Sequence, residues 1–483
     1  MGHVRSNGEG WRVMGRRRTA WWRTRTRTWT RAQGGRRPVA VGGVVRRRVV
    51  VLTAALCATV ALTGRPAIAA GSPGAYGYGQ GDRVVDGATG TGDAVALKAG
   101  GAYRSSLPKG AKVYYGIDLD ATSNAYVSVT AVPPAGTTVA ATDGIRVSMQ
   151  NASGTACTHR SATFGASRSP HPVAAWAARE AGKALCKGGG TYYVVVERVD
   201  ASGSSSDTWG LELTAVSEPP PAQAGTTEAP QVWDSASPEA VTGEARRRAG
   251  GSGFAGATAV GQGVWRDDVR PGGTVFYKVP VDWGQQLSVT AGLGGSDGGS
   301  GYVTRALDLA LYNPVRGSVD EAGLGYRGSE RSVALEPLPP VEYRNRYSVV
   351  DHVNGMRFAG SYYLVVHLST ELADIFGQGP LPVTLRVRVG GSAHAGPGYA
   401  AKPEPANIFE VTAQDRAATA AAATGGVGGG GDRSMKVLAV AGIGAGSVLL
   451  ATLGVWTVSA RRRDGGRDRD RGRGRDRAST AAL

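Results

Sequence analysis

Histidine and cysteine are both scarce in this chain, six and three among 483 residues. Beyond His3 the histidines are His159, His171, His352, His367 and His394. No H-E-x-x-H or other close ligand spacing joins them, which argues against zinc. Long amphipathic helical patterns are missing from the body of the chain, which argues against parallel βαβ architecture. Catalytic signatures are missing too. Gly294-Gly295-Ser296-Asp297-Gly298 satisfies the letters of G-x-S-x-G, but a nucleophile elbow needs a strand before the serine and a helix after it. Here Ser296 falls in GLGGSDGGSGY, a loop between expected strands. No catalytic residue, cofactor or metal is expected, and the chain reads as a non-enzyme.

Charge is distributed unevenly. The formal total is +17, with +13 in residues 1–48 and +5 in the tail from Arg461, so residues 49–460 carry −1. A near-neutral body offers no basic face to nucleic acid. The arginines of 1–48, interleaved with Trp11, Trp21, Trp22 and Trp29, read as the basic region of an export signal, or as leader upstream of a start at Met14. Residues 49–62 are apolar, and Ala67-Ile68-Ala69 supplies the small-x-small pattern for cleavage after Ala69. Fourteen apolar residues are short for a span. The general secretory route is favoured over a twin-arginine one, and Cys57 leaves with the signal.

Residues 437–458 contain no charge and are closed by Arg461, Arg462 and Arg463. At about 1.5 Å per residue such a helix crosses a roughly 30 Å hydrocarbon core, and the arginines place the tail, 459–483, in the cytoplasm. Gly442 and Gly446, four apart, are a candidate face for a weak homodimer in the membrane. The body then lies outside the cell, where the remaining pair, Cys157 and Cys186, reads as a disulfide.

That body contains an internal repeat. Tyr103-Arg104, Gly110, Val113-Tyr114-Tyr115, Ile117, Leu119 and Asp120 recur as Trp265-Arg266, Gly272, Val275-Phe276-Tyr277, Val279, Val281 and Asp282. Val127-Ser128-Val129-Thr130-Ala131 answers Leu287-Ser288-Val289-Thr290-Ala291, and Gly190-Thr191-Tyr192-Tyr193-Val194-Val195-Val196 answers Gly360-Ser361-Tyr362-Tyr363-Leu364-Val365-Val366. Each copy ends in an alternating run. Period-two alternation of β-branched and aromatic residues between Gly, Pro, Asn and Asp is the strand signature. Each copy is long enough for its own core. The expected fold is all-β: two tandem antiparallel jelly-roll-like β-sandwiches at 79–216 and 231–390, with one C-terminal transmembrane helix.

At these blocks the chain resembles the bacterial pre-peptidase C-terminal domain family, small β-sandwiches often appended to secreted proteases. The carrying residues are Pro271-Gly272-Gly273 with Val275-Phe276-Tyr277-Lys278-Val279, then Leu307-Asp308-Leu309-Ala310-Leu311-Tyr312-Asn313-Pro314, then Gly360–Val366 of the block above. The first copy departs from the pattern, with Gln150-Asn151-Ala152 and the Cys157–Cys186 insertion. The resemblance implies fold, and implies an accessory role beside a separate secreted hydrolase. The Arg-, Ala- and Gly-rich coding resembles that of a high-GC actinobacterium.

Residues 217–230 (SEPPPAQAGTTEAP) read as a stiff Pro-rich linker, and 391–435 as an Ala/Gly/Pro-rich stalk, briefly helical at 413–423. Asp118, Asp120, Asp267, Asp268, Asp320 and Glu321 could in principle ligate calcium, but no full EF-type series is present and they read as solvated acidic turns. His367, which answers Glu197 of the first copy, reads as a tolerant edge position. The chain therefore reads as a membrane-anchored extracellular binding or scaffolding protein of the bacterial cell envelope. Its expected partner is an extracellular protein or wall polymer, met through exposed aromatics and loops around Trp176, Trp283 and Tyr302.

Overall fold

A computed structural model describes residues 75–423 apart from 231, 237 and 240. The expected signal, membrane span, Gly442–Gly446 face and cytoplasmic tail lie outside the described residues. Among the described residues no helix is long and apolar enough to cross a membrane.

The first copy contributes ten strands: β1 (Arg83–Val84), β2 (Val95–Leu97), β3 (Ala102–Leu107), β4 (Lys112–Leu119), β5 (Asn124–Val132), β6 (Gly144–Gln150), β7 (Ala156–Thr163), β8 (Val173–Arg179), β9 (Gly190–Val199) and β10 (Trp209–Glu218). They form two five-stranded sheets, ordered β1-β3-β10-β5-β8 and β2-β4-β9-β6-β7. The second copy contributes β11 (Arg246–Arg247), β12 (Thr258–Ala259), β13 (Gly263–Val269), β14 (Thr274–Val281), β15 (Gln286–Leu293), β16 (Val303–Tyr312), β17 (Ser318–Tyr326), β18 (Arg331–Ala334), β19 (Gly360–Leu368) and β20 (Leu381–Gly390). Its sheets run β11-β13-β20-β15-β18 and β12-β14-β19-β16-β17, the order of the first copy with ten added to every strand. The repeat read from the sequence is a repeat of topology. The expectation of a purely antiparallel sandwich needs one correction, because β1 and β2, like β11 and β12, pair parallel with the strand two further on.

Alternation builds each core. Leu211, Leu213 and Ala215 of β10 face the interior of the first sandwich with Val127 and Val129 of β5. Tyr362, Leu364 and Val366 of β19 do the same in the second, with Tyr277 and Val279 of β14. A disulfide joins Cys157 at the start of β7 to Cys186, 29 residues on.

The outward faces of one sheet from each copy are also buried, against each other. Tyr126 of β5, Ala174 and Ala178 of β8 and Val216 of β10 meet Val315, Phe358, Phe276 and Val365 of the second copy. The stalk read from the sequence folds differently over its described part. Residues 391–412 return along the linker: Ser217 and Glu404 exchange backbone bonds at 2.8 and 3.0 Å, and the Ala400 N–H donates to the Pro220 carbonyl at 2.9 Å. Phe409 is 1% exposed and stacks on Phe358 with centroids 4.8 Å apart. Gly360, at φ +129°, permits the crossing, since a Cβ there would lie 2.4 Å from the Ile408 carbonyl oxygen. The run expected to be helical forms α3 (Ala413–Ala423), following α1 (Asp351–Gly355) and α2 (Glu371–Phe376). Thr412 and Asp415 cap α3 reciprocally, each side chain accepting the other's backbone N–H at 3.1 and 3.0 Å.

Candidate functional site

The junction between the copies concentrates the buried polar groups. Glu218, at the outward-facing end of β10, is fully buried and accepts from both terminal nitrogens of Arg346 at 3.0 and 2.6 Å, from the Tyr126 hydroxyl at 2.7 Å, the Asn124 amide at 2.9 Å and the Tyr399 hydroxyl at 3.0 Å. Burial by itself would raise this carboxyl. The Arg346 guanidinium and the hydrogen bonds from Arg346, Asn124 and Tyr126 outweigh it and hold the group below its ordinary value. Further along β10, Glu212 pairs with Arg316 at 2.8 Å and accepts from Tyr76.

His367 is corrected by the same junction. Its strand, β19, lies between β14 and β16 rather than at an edge. Its ring is 2% exposed, meets the Ser169 hydroxyl at 2.8 Å and stacks on His171 with centroids 4.4 Å apart. Burial depresses both imidazoles, and in His367 the neighbouring His171 adds to the effect.

A cleft of about 380 Å³ opens where β7 and β8 of the first copy meet residues 346–357 of the second. Trp176, Arg160, Glu180 and Lys183 form one wall, and Arg346, Asp351 and Arg357 the other. Arg357, in the chain just after α1, donates from Nη1 to Glu180 at 2.8 Å, and its guanidinium carbon lies 5.3 Å from the Trp176 ring and 5.2 Å from Phe358. The residue is 2% exposed, yet its Nε and Nη2 have no acceptor among the described residues. Arg160 pairs loosely with Asp351 at 3.4 Å and Lys183 with Glu180 at 3.7 Å. At the mouth, residues 347–350 expose apolar surface: Tyr347 is 40% exposed, Val349 97% and Val350 44%. A turn from Asn354, whose side-chain amide donates to the carbonyls of Arg346 and Ser348 at 2.8 and 3.1 Å, holds this tip out.

A second, shallower groove of about 770 Å³ lies on the outward face of β15, β18 and β20 beside Pro238, Glu239, Val241, Thr242 and Gly243, with Arg331, Arg386 and Arg388 along it.

Of the aromatics singled out from the sequence, Trp176 lines the cleft and Tyr302 is half exposed. Trp283 is not exposed: it is 6% accessible and sits in the core of the second sandwich. The Ser296 hydroxyl donates to the Gly298 carbonyl at 2.9 Å within a loop, with no helix following. The acidic residues weighed for calcium have other occupations. Asp120 caps the turn at Thr122 and Ser123 at 2.6 and 2.7 Å, Asp267 accepts from Tyr277 at 3.0 Å, and Asp320 accepts the Glu336 N–H at 2.8 Å. Among the described residues no three of His, Cys, Asp and Glu come together as a metal would need. Arg357 and the 347–350 tip escaped the sequence reading, since nothing local marks a buried arginine whose partners come from another domain.

No protein-family model and no curated protein matches the chain. Solved structures with some likeness include the pre-peptidase C-terminal domain of a Bacillus anthracis collagenase, at 15% identity over 26% of this chain and 94% of that one, TM-score 0.17. Others are the tandem CBM22-1-CBM22-2 domains of Paenibacillus barcinonensis Xyn10C, at 10% identity over 61% and 92%, TM-score 0.16, and the M60 catalytic domain with two CBM51 domains of Clostridium perfringens ZmpB, at 9% over 59% and 34%, TM-score 0.15. At TM-scores this low the functional reading rests on the geometry of the chain itself: a composite cleft that exists only where two sandwiches of one topology are joined.

Proposed function

We propose that this chain is a membrane-anchored, extracellular, non-enzymatic binding or scaffolding protein of a bacterial cell envelope. The observation that carries the reading is the junction cleft, whose two walls come from different copies and whose mouth exposes Tyr347, Val349 and Val350. Apolar side chains held clear of the body beside a charged recess suit a protein partner. In this reading the export signal, span and tail expected from the sequence hold that site outside the cell, tethered to the membrane. The exposed apolar tip also favours a second reading, in which the partner is a separate secreted hydrolase that this chain positions or restrains, as the resemblance to pre-peptidase C-terminal domains implies.

The test is proximity crosslinking of the tagged full chain in intact cells, with Val349→Asp beside the wild type. A charge at the tip is expected to reduce recovery of an exported protein at least fivefold without changing the amount of chain at the surface. Recovery of a hydrolase selects the second reading. Equal recovery by both chains would remove the cleft mouth as the binding surface.

A further inference from the structure

Arg357 is a buried cation with two of its three guanidinium nitrogens unpaired among the described residues. Its Nη1 is committed to Glu180 at 2.8 Å. The two nitrogens left over, Nε and Nη2, are without acceptors among the described residues. They are adjacent on the guanidinium and together form one complete edge, the two parallel N–H groups that grip a carboxylate or phosphate side-on. A single orphaned donor would be a packing imperfection. An entire orphaned edge, on a residue that lines a cleft, has the donor pattern an oxyanion takes.

The charges around it choose between oxyanions. Four cations line the cleft, Arg160, Lys183, Arg346 and Arg357, with two acids, Glu180 and Asp351. Arg346 is further neutralised by Glu218 behind it, at 2.6 Å. The recess is therefore left with about one uncompensated positive charge, which suits a monoanion and would leave a dianionic phosphate half unmatched. Trp176 forms one wall beside that edge, and Tyr347, Val349 and Val350 stand at the mouth. Both surfaces favour apolar groups next to the anion.

Resting on the binding role proposed above, we infer that the cleft receives a carboxylate of an extracellular protein partner, an acidic side chain or a chain terminus flanked by apolar residues, held bidentately by the Nε–Nη2 edge of Arg357. Neither nitrogen offers appreciable surface to water, so the carboxylate reaches them only as side chains of the cleft wall move.

The experiment uses the purified full chain in detergent micelles and small probes: phenylacetate, its neutral isostere phenylacetamide, and inorganic phosphate, each titrated by calorimetry. Phenylacetate is expected to bind at least tenfold more tightly than phenylacetamide or phosphate. Arg357→Lys, which keeps the charge and loses the paired edge, is expected to abolish that preference. The isostere comparison is made on the wild type, so it stands even where the variant does not fold. Equal binding of phenylacetate and phenylacetamide overturns the inference, as does phosphate binding as tightly as phenylacetate. A preference that persists in folded Arg357→Lys also overturns it. The crosslinking result with Val349→Asp is independent of these outcomes, so the binding role stands or falls separately from the chemistry of its ligand.

Discussion

At the scale of single residues, the junction is held by groups that are expensive to leave alone. Glu218 and Arg346 are both nearly inaccessible, at 0% and 8% of their side chains. Removing one partner of such a pair costs about 3–5 kcal/mol, because the other charge stays buried without its counter-ion. Arg346→Met is therefore expected to lower the free energy of unfolding by about that amount in guanidinium titrations, whereas an exposed pair such as Arg160–Asp351, at 54% and 84%, should be nearly silent. The stacked His171 and His367 supply a pH dependence. Asp308 and Arg305 face His171 with opposing effects, and burial dominates both rings, so their folded values lie below the ordinary one near 6.5. The unfolded chain then takes up protons first, and stability declines as pH falls below about 6.5 until the folded pair itself protonates. Denaturation at pH 7.5 and 5.5 should show this decline, and His367→Asn should reduce it. None of this was legible beforehand, because Glu218 and His367 occupy the polar places of alternating strands, where sequence reasoning assigns solvent.

At the scale of elements, the strands themselves were legible. Val127-Ser128-Val129-Thr130-Ala131 became β5, and Val383 through Val389 lie within β20, because alternate β-branched positions have only one way to face a core. What alternation conceals is a second buried face. The outward residues of β5 and β8 are Tyr126, Ser128 and Thr130, then Ala174, Trp176 and Ala178, small or aromatic rather than charged, and that was the available signal. The segment 391–412 was misread for a related reason: Ala, Gly and Pro suit an extended tether and equally suit a strap that must pass close to another backbone. Phe409 fastens this strap. Truncation by Phe409→Ala should cost about 3–5 kcal/mol, measured as a fall in unfolding free energy, with a much smaller effect if the strap were free of the body.

At the scale of the whole molecule, the repeat was visible in the sequence while the way its copies meet was not, since the contact joins different sheets. The first copy uses the outward face of β10-β5-β8 and the second that of β14-β19-β16. Two like units joined by unlike faces leave one copy of each face unsatisfied, which is the geometry of an open filament. Register shows what stands on the matching face of the second copy. Counted from β3 and β13, where Leu213 pairs with Tyr103 and Leu385 with Trp265, Thr214 and Val216 of the adhesive face answer Arg386 and Arg388 of the second copy. Those arginines line the groove beside Pro238, Glu239 and Val241, and the Arg388 side chain donates to the Glu239 carbonyl at 3.1 Å. Restoring the first copy's residues, as Arg386→Thr with Arg388→Val, should give concentration-dependent association in sedimentation, and a double variant that stays monodisperse would refute the idea. Where the first copy is glue, the second is varnish: two arginines and a loop cover the face on which a further domain would have to sit.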